Sequence, residues 1–446
     1  MKLPARMFLL FLTAFVLVTA ARAEHSGTDI AYPVAGGNLY FDKASGTITD
    51  CEQSVTEAVI PSQIDGAAVA FIGSYAFYGC KMTGVKIPES VVSIGDSAFS
   101  DCKNLTSMEI PDGVTSIGNG AFLWCESLKS VKIPSSVTSI GYNAFSDCIS
   151  LTSVEIPASV TFIGEEAFYN CARLTNINVA NDNANYVSAN GILFNKSKTD
   201  LICYPAGKTE LSYQIPASVT SVGGCAFYGC KSLTSLEISA SLTSIGNGAF
   251  WECTSLTSVK IPASVTSIER YAFYGCKSLI SAEIPNSVSG IGWNAFYECD
   301  SLRDVYYGGS KEQWEKIGYI SESGLISDKI TIHYNASMPA APKFQVTAAP
   351  TVNGHAIGKA DLSGLTEITV PLSVSADTPA QITLCVPFYD GNGKFVGMGM
   401  ATQTVSKNTT SAAVPVAGDM SGAAKLGVAI LGADSRPLSA YSCPIS

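Results

Sequence analysis

Histidine is almost missing from this chain: there are three, His25, His333 and His355, in 446 residues. None sits at a recurring distance from a Cys or Ser nucleophile. H-E-x-x-H, C-x-x-C and a glycine-rich phosphate loop are all absent. No catalytic, cofactor-binding or metal-binding residue is therefore assigned, and the chain reads as a non-enzyme without a cofactor. Charge is also sparse, at 14% of residues. What there is leans acidic, with 37 Asp and Glu against 27 Lys and Arg and a formal net charge of −10. That balance argues against nucleic acid or an anionic membrane surface as partner. Past the N-terminus no apolar run is long enough for a transmembrane segment.

The one apolar run lies at the start. Lys2 and Arg6 precede the stretch Met7–Thr19, and Ala21-Arg22-Ala23 follows it. Basic head, short apolar middle and A-x-A end are the layout of a secretory signal peptide, residues 1–23, cleaved near Ala23. The expected location is secreted or at a cell surface.

What the chain has in abundance is repetition. Cys80, Cys102, Cys125, Cys148 and Cys171 are spaced by 22 and then 23 residues, and Cys230, Cys253, Cys276 and Cys299 by 23. Ala-Phe precedes each one, which makes nine copies. Each copy reads C-x-x-L-x-x-V-x-I-P-x-x-V-x-x-I-G-x-x-A-F-x-x. Leu233-x-x-Leu236-x-Ile238 has leucine-rich-repeat spacing. Alternation at Leu236-Glu237-Ile238 predicts a short strand with Glu outward. The prolines after it, such as Pro111 and Pro134, end the strand because proline cannot donate to a ladder. The glycines after the second Ile (Gly95, Gly118, Gly141, Gly164) are read as tight-turn positions. One coil has no core of its own, so coils must stack and share one.

The phrase "IPxSVTSIGxxAFxxCxSL" resembles the BspA-like leucine-rich repeat of bacterial surface and secreted proteins. The resemblance spans about 59 to 334 and extends to "YPVAGGNLYFDKASGTITDC" before the array and "VYYGGSKEQWEKI" with "ITIHYN" after it. It implies adhesion to host matrix proteins or to other bacteria.

The fold class read from these features is mostly β. The expected order is an N-terminal cap hairpin (24–58), a leucine-rich repeat solenoid (59–334), a linker (335–343) and an immunoglobulin-like β-sandwich (344–446). The cap is placed on strands around Asn38–Phe41 and Thr47–Thr49. Between Cys171 and Cys230 lies one repeat plus 36 residues. That excess is read as a hairpin insertion at about 181–213, with strands Gly191–Phe194 and Leu201–Tyr204, either a tolerated variant or a binding element. "DGNGKF" (390–395) resembles the start of a calcium loop, but Ala401 stands where that loop needs Glu, so it is read as a hairpin turn.

A cysteine in every copy invites a disulfide reading. Coils about 4.8 Å apart hold parallel Cβ atoms too far apart for disulfides, which want about 3.5–4.5 Å. The ladder cysteines are read as small buried hydrophobes. Cys51, Cys203, Cys225, Cys385 and Cys443 fall off the ladder, and pairing of Cys385 with Cys443 stays open.

Two faces are candidates for binding. On the strand face, Lys86, Glu109, Lys132, Glu155, Glu237, Lys260 and Glu283 form an outward column of alternating sign, either self-neutralising or a broad polar face. The residue after each Phe forms another column, and its last four members, Tyr228, Trp251, Tyr274 and Tyr297, are all aromatic. Tyr271 and Trp293 lie close by. Such a stripe suits protein hot spots or sugar stacking, or it shields the flank. The chain is thus read as an exported non-catalytic binding protein. Its partner is an extracellular protein (host matrix or another cell-surface protein) or a glycan. A structural spacer presenting the sandwich is the remaining reading.

Overall fold

The computed structural model describes residues 27–338 and the strands that follow between 343 and 444. The signal-peptide reading, linker residues 339–342 and the Asp390–Gly393 turn lie outside the described residues. The chain divides into two compact units, Met1–Met338 and Pro339–Ser446.

The first unit is a solenoid of stacked coils. It opens on an antiparallel meander, Ile30–Val34, Gly37–Asp42 and Thr47–Cys51. The strand Ile30–Val34 was not anticipated; it covers the outer edge of the expected hairpin. From Thr47–Cys51 onward the strands pair in parallel, through Phe71–Ile72, Ser93–Ile94, Ser116–Ile117, Ser139–Ile140 and Phe162–Ile163. A second set, such as Ser107–Glu109 on Ser130–Lys132 and Ser153–Ile156 on Asn176–Val179, carries the outward column.

The coils close on one another through repeated contacts. Phe77, Phe99, Phe122, Phe145 and Phe168 stack with centroid spacings of 4.9, 5.4, 5.2 and 5.9 Å. Every one of these rings is buried. Thr115, Thr138 and Thr161 each donate a hydroxyl hydrogen bond to a backbone carbonyl of the preceding coil, at 3.3, 3.1 and 3.2 Å. Ser136 and Ser159 do the same at 2.6 Å. The threonine hydroxyls share carbonyls that already accept the threonine's own backbone N–H, so they reinforce the coil-to-coil contact.

The glycine column differs from its expected role. Gly118 and Gly141 do not have positive φ. A Cβ on Gly118 would lie 2.5 Å from the Gly95 carbonyl carbon, and one on Gly141 would lie 2.6 Å from the Asn119 nitrogen. They are glycine because the backbones of successive coils touch there. The left-handed turns lie instead on either side of Ala-Phe, at non-glycine residues such as Ser97 and Asp101 (φ 53° and 61°) or Asn143 and Asp147 (φ 54° and 58°). Short polar side chains tolerate that conformation best.

The insertion is a three-stranded meander, Tyr186–Ala189, Ile192–Asn195 and Asp200–Cys203. Its last strand pairs in parallel with Ser221–Val222 and restarts the array. The middle strand is buried on both faces. Leu193 joins the core of the coils before it, while Ile192 and Phe194 join the core of those after it. It is a partition between two hydrophobic cores. The first sheet ends at Phe162–Ile163, where the Tyr186 hydroxyl accepts from the Ile163 N–H at 2.9 Å. The array closes with a helical turn, Lys311–Trp314, held by a Ser310/Gln313 capping box, and buried Trp314 packs edge-on against Tyr307 at 5.1 Å.

In the second unit, one antiparallel sheet contains Lys343–Val346, Glu367–Ser375, Thr351–Val352, His355–Ala356 and Ser411–Pro415. The other contains Phe395–Val405, Ala380–Tyr389, Lys425–Gly432 and Pro437–Pro444. Alternate residues Ile368, Val370 and Leu372 of one and Ile382, Leu384, Val386 and Phe388 of the other are buried, as two sheets facing a shared core require. Cys385 is a free thiol. It is in register with Ala429, whereas Cys443 is in register with Leu426 on the next strand pair. This places the two cysteines on non-adjacent strands of the sheet.

Two substitutions test the stacking. Phe122→Ala should cost about 3–5 kcal/mol by leaving a cavity in the ring stack. Gly118→Ala should cost about 1–3 kcal/mol because only backbone lies in the way of the new Cβ. Urea unfolding of each variant checks both; a neutral Gly118→Ala would show that the coils are not in backbone contact.

Candidate functional site

The two left-handed positions around Ala-Phe turn the following side chain onto the solenoid's flank. Early in the array this column is mixed: Ser100 and Ser146 are buried and Leu123 is half-buried. Later it is aromatic, and the rings pack on each other. Tyr228 lies 5.7 Å from Trp251, Trp251 lies 5.2 Å from both Tyr271 and Tyr274, and Tyr274 lies 5.8 Å from Tyr297. Trp293 meets Tyr271 edge-on at 5.3 Å. The structure thus brings all six stripe residues together. Their exposure is uneven: Trp251, Tyr271 and Tyr274 are buried, Tyr228 is half-buried, and Trp293 and Tyr297 remain 36% and 49% exposed. Burial pushes the Tyr274 phenol up, helped by its hydrogen bond to Glu298 Oε1 at 2.7 Å. Burial raises Tyr228 to about 12.

The stripe begins one rung earlier than sequence spacing suggests. Tyr169 packs at a tilt on Tyr228, centroids 4.0 Å apart, across the insertion, although 59 residues separate them. Beside them the Cys225 thiol donates to Glu166 Oε1 at 3.4 Å. Burial raises the Glu166 carboxyl, and the Asp147 carboxyl on the same flank is raised by burial too. A shallow pocket lies here, lined by Glu166, Phe168, Tyr169, Cys203, Gly224 and Cys225. No spacing in the sequence signals the Glu166–Cys225 contact, because the insertion breaks the count of 23.

On the strand face, Lys132 pairs with Glu109 at 2.8 Å and Lys260 with Glu283 at 3.1 Å. The Lys132 bond holds the Glu109 carboxyl below its ordinary value. Lys86, Glu155 and Glu237 are exposed. The column continues past its expected end through Tyr306 and His333, whose rings stack at 4.6 Å, with His333 Nε2 at 2.8 Å from Asp304 Oδ1. Among the described residues no group of three or more His, Cys, Asp or Glu is placed to hold a metal ion.

The cysteine column does more than fill space. Cys102, Cys125 and Cys148 donate Sγ–H to the carbonyls of Phe77, Phe99 and Phe122 in the preceding coils, at 3.0, 3.1 and 3.2 Å. The pattern continues through Cys171 to Phe145 and Cys230 to Tyr204, and on through Cys253, Cys276 and Cys299. Cys80 is a correction: this first ladder cysteine is not a free thiol but is disulfide-bonded to Cys51 of the cap. Cys203 lies off the ladder, as expected: it directly precedes Tyr204, which takes the phenylalanine position, with its N–H donating to the Ala226 carbonyl at 2.8 Å and its carbonyl accepting from Cys230 Sγ at 3.7 Å.

The BspA type leucine rich repeat region matches residues 70–198 and 207–322, in six copies. The chain belongs to this family. Among solved structures it is similar to a leucine rich cell surface protein from Faecalibacterium prausnitzii, at 28% identity and a TM-score of 0.50, covering 66% of this chain and 98% of that one. It also shares the fold of the pneumococcal vaccine antigen PcpA, at 22% identity and a TM-score of 0.56, covering 68% of this chain and 90% of that one. No curated protein sequence matches the chain. The BspA-type repeat therefore accounts for the solenoid and for a cell-surface setting among its relatives.

Burial raises the Cys102 and Cys299 thiols of the ladder, and that of Cys203, from the ordinary 9.0 to about 12. In the unfolded chain these thiols ionise near pH 9, while in the fold they stay protonated. The stability they contribute is full below pH 9 and is lost as pH rises toward about 12. The melting temperature should fall steeply across that window, and less steeply in Cys102→Ala. A melting temperature that is flat to pH 11 would contradict a buried thiol column.

Proposed function

We propose that this chain is an exported, non-catalytic binding protein that contacts other proteins at or near a bacterial surface. One observation carries the reading. Backbone contact between coils makes the solenoid a rigid scaffold, and it presents the same outward positions rung after rung. Such a surface is ordered before a partner arrives, so little conformational entropy is lost on binding. The aromatic flank and the Lys/Glu column are its candidate contact faces. Three further features support the reading: the signal-peptide layout, the BspA-type repeat and the cell-surface description of the Faecalibacterium relative. Among the described residues no helix is long and apolar enough to cross a membrane.

The test is capture of immobilised fibronectin, fibrinogen and mucin, each with and without prior deglycosylation. At least one protein should be captured, and capture should survive deglycosylation. Capture lost with the glycans would turn the reading to sugar binding, and no capture at all would leave the spacer reading.

A further inference from the structure

The stripe's rings are buried by their neighbours in the coils on either side. Trp251 and Tyr274 have a rung before and a rung after. Tyr297 has only the rung before it. The next segment is not a repeat but the short turn Ile320–Glu322, and Gly324 lies against the Tyr297 backbone. Tyr297 therefore stays 49% exposed, and Trp293, in the column after the glycine that is exposed in interior coils too (Asn119, Tyr142, Arg270), adds a second ring at 36%. Beneath them Tyr271 and Tyr274 are buried and fix both rings by edge and tilted contacts. These exposed aromatics are held in place before any partner binds.

Their surroundings are acidic. Glu298 follows Tyr297 directly, is exposed, and accepts the Tyr274 hydroxyl through Oε1. Glu322 is exposed in the closing turn, and its backbone carbonyl accepts from Asn294 N, next to Trp293. Glu252 lies near enough to Tyr274 to raise it. The exposed Arg270 stands beside Tyr271. The carboxylates outnumber it, in a chain whose formal net charge is −10. Exposed electron-rich ring faces beside carboxylates attract a cation twice, through the ring quadrupole and through charge. A neutral sugar could stack on the rings and donate hydroxyls to the carboxylates, but it would gain no charge attraction.

We propose that Trp293 and Tyr297, with Glu298 and Glu322, form a docking point for an arginine- or lysine-bearing segment of a protein partner. This rests on the protein-binding reading and names where and by what chemistry the partner is held. An arginine is the better fit, since its planar guanidinium stacks on a ring while forking toward a carboxylate.

The experiment uses the mature chain. Its ligands are an arginine-rich peptide, the citrulline twin of that peptide (same shape, no charge) and a neutral chito-oligosaccharide. Binding is read by calorimetry and tryptophan fluorescence. The arginine peptide should bind about tenfold more tightly than its twin and lose affinity as salt rises. Trp293→Leu with Tyr297→Leu should weaken it about five- to tenfold, and Glu298→Gln, which keeps the acceptor for Tyr274, about threefold. Glu57→Gln, exposed on the first coil, controls for diffuse charge and should change nothing. Both rings are exposed, so the variants should fold, which circular dichroism and melting verify; Tyr297→Ser alone is the milder substitute. Equal binding of the citrulline twin, unchanged binding in the ring variants, or tighter binding of the oligosaccharide each overturn the proposal. If the ring variants still capture the fibronectin, fibrinogen or mucin bound by the parent chain, this site is wrong while protein binding stands. If the parent captures none, the broader reading fails.

Discussion

Backbone contact between successive coils is the constraint on which the rest of the solenoid depends. At Gly118 and Gly141 there is no room even for a Cβ. That contact fixes a rise of about one strand spacing per coil. At that rise, phenylalanines in one column stack, and a cysteine thiol meets the carbonyl of the preceding phenylalanine. Threonine and serine hydroxyls reach the coil before them. Opposite charges in the outward column pair where Lys and Glu alternate. Each of these contacts is modest, but the same geometry repeats them along the array.

Most of this was legible in the sequence, because a strict period translates directly into columns. The nine Cys positions, the Phe column and the outward Lys/Glu column all follow from counting to 23. The count misled where one residue type serves two physical ends. A glycine after Ile signals either a left-handed turn or a close approach, and sequence alone favoured the first. Counting failed outright at the insertion. Tyr169 meets Tyr228, Tyr204 takes a place in the ring stack and Glu166 meets Cys225 only because a meander restores the stack after 36 extra residues. Folding, not spacing, makes those neighbours. The edge strands Ile30–Val34 and Tyr186–Ala189 were missed for a related reason: neither belongs to the period.

The candidate site shows the same division. The aromatic stripe was visible as four consecutive rungs, but its burial depends on what precedes and follows each rung. In the column after Phe, Trp251 and Tyr274 are buried between neighbouring rungs, and Tyr297, which lacks an aromatic successor, stays exposed. An array of near-identical coils thus acquires a distinct location at its end without any change in the repeat itself.

The double-faced strand Ile192–Asn195 gives the solenoid a further property. With Leu193 in one core and Ile192 and Phe194 in the other, the array is two cooperative units joined at a seam. Nearest-neighbour stabilisation propagates within each unit and meets an irregular interface between them. Coils can be gained or lost on one side of the seam without altering the packing on the other. The repeat number of each half is free to drift separately over evolutionary time, while the partition that closes both cores must be kept.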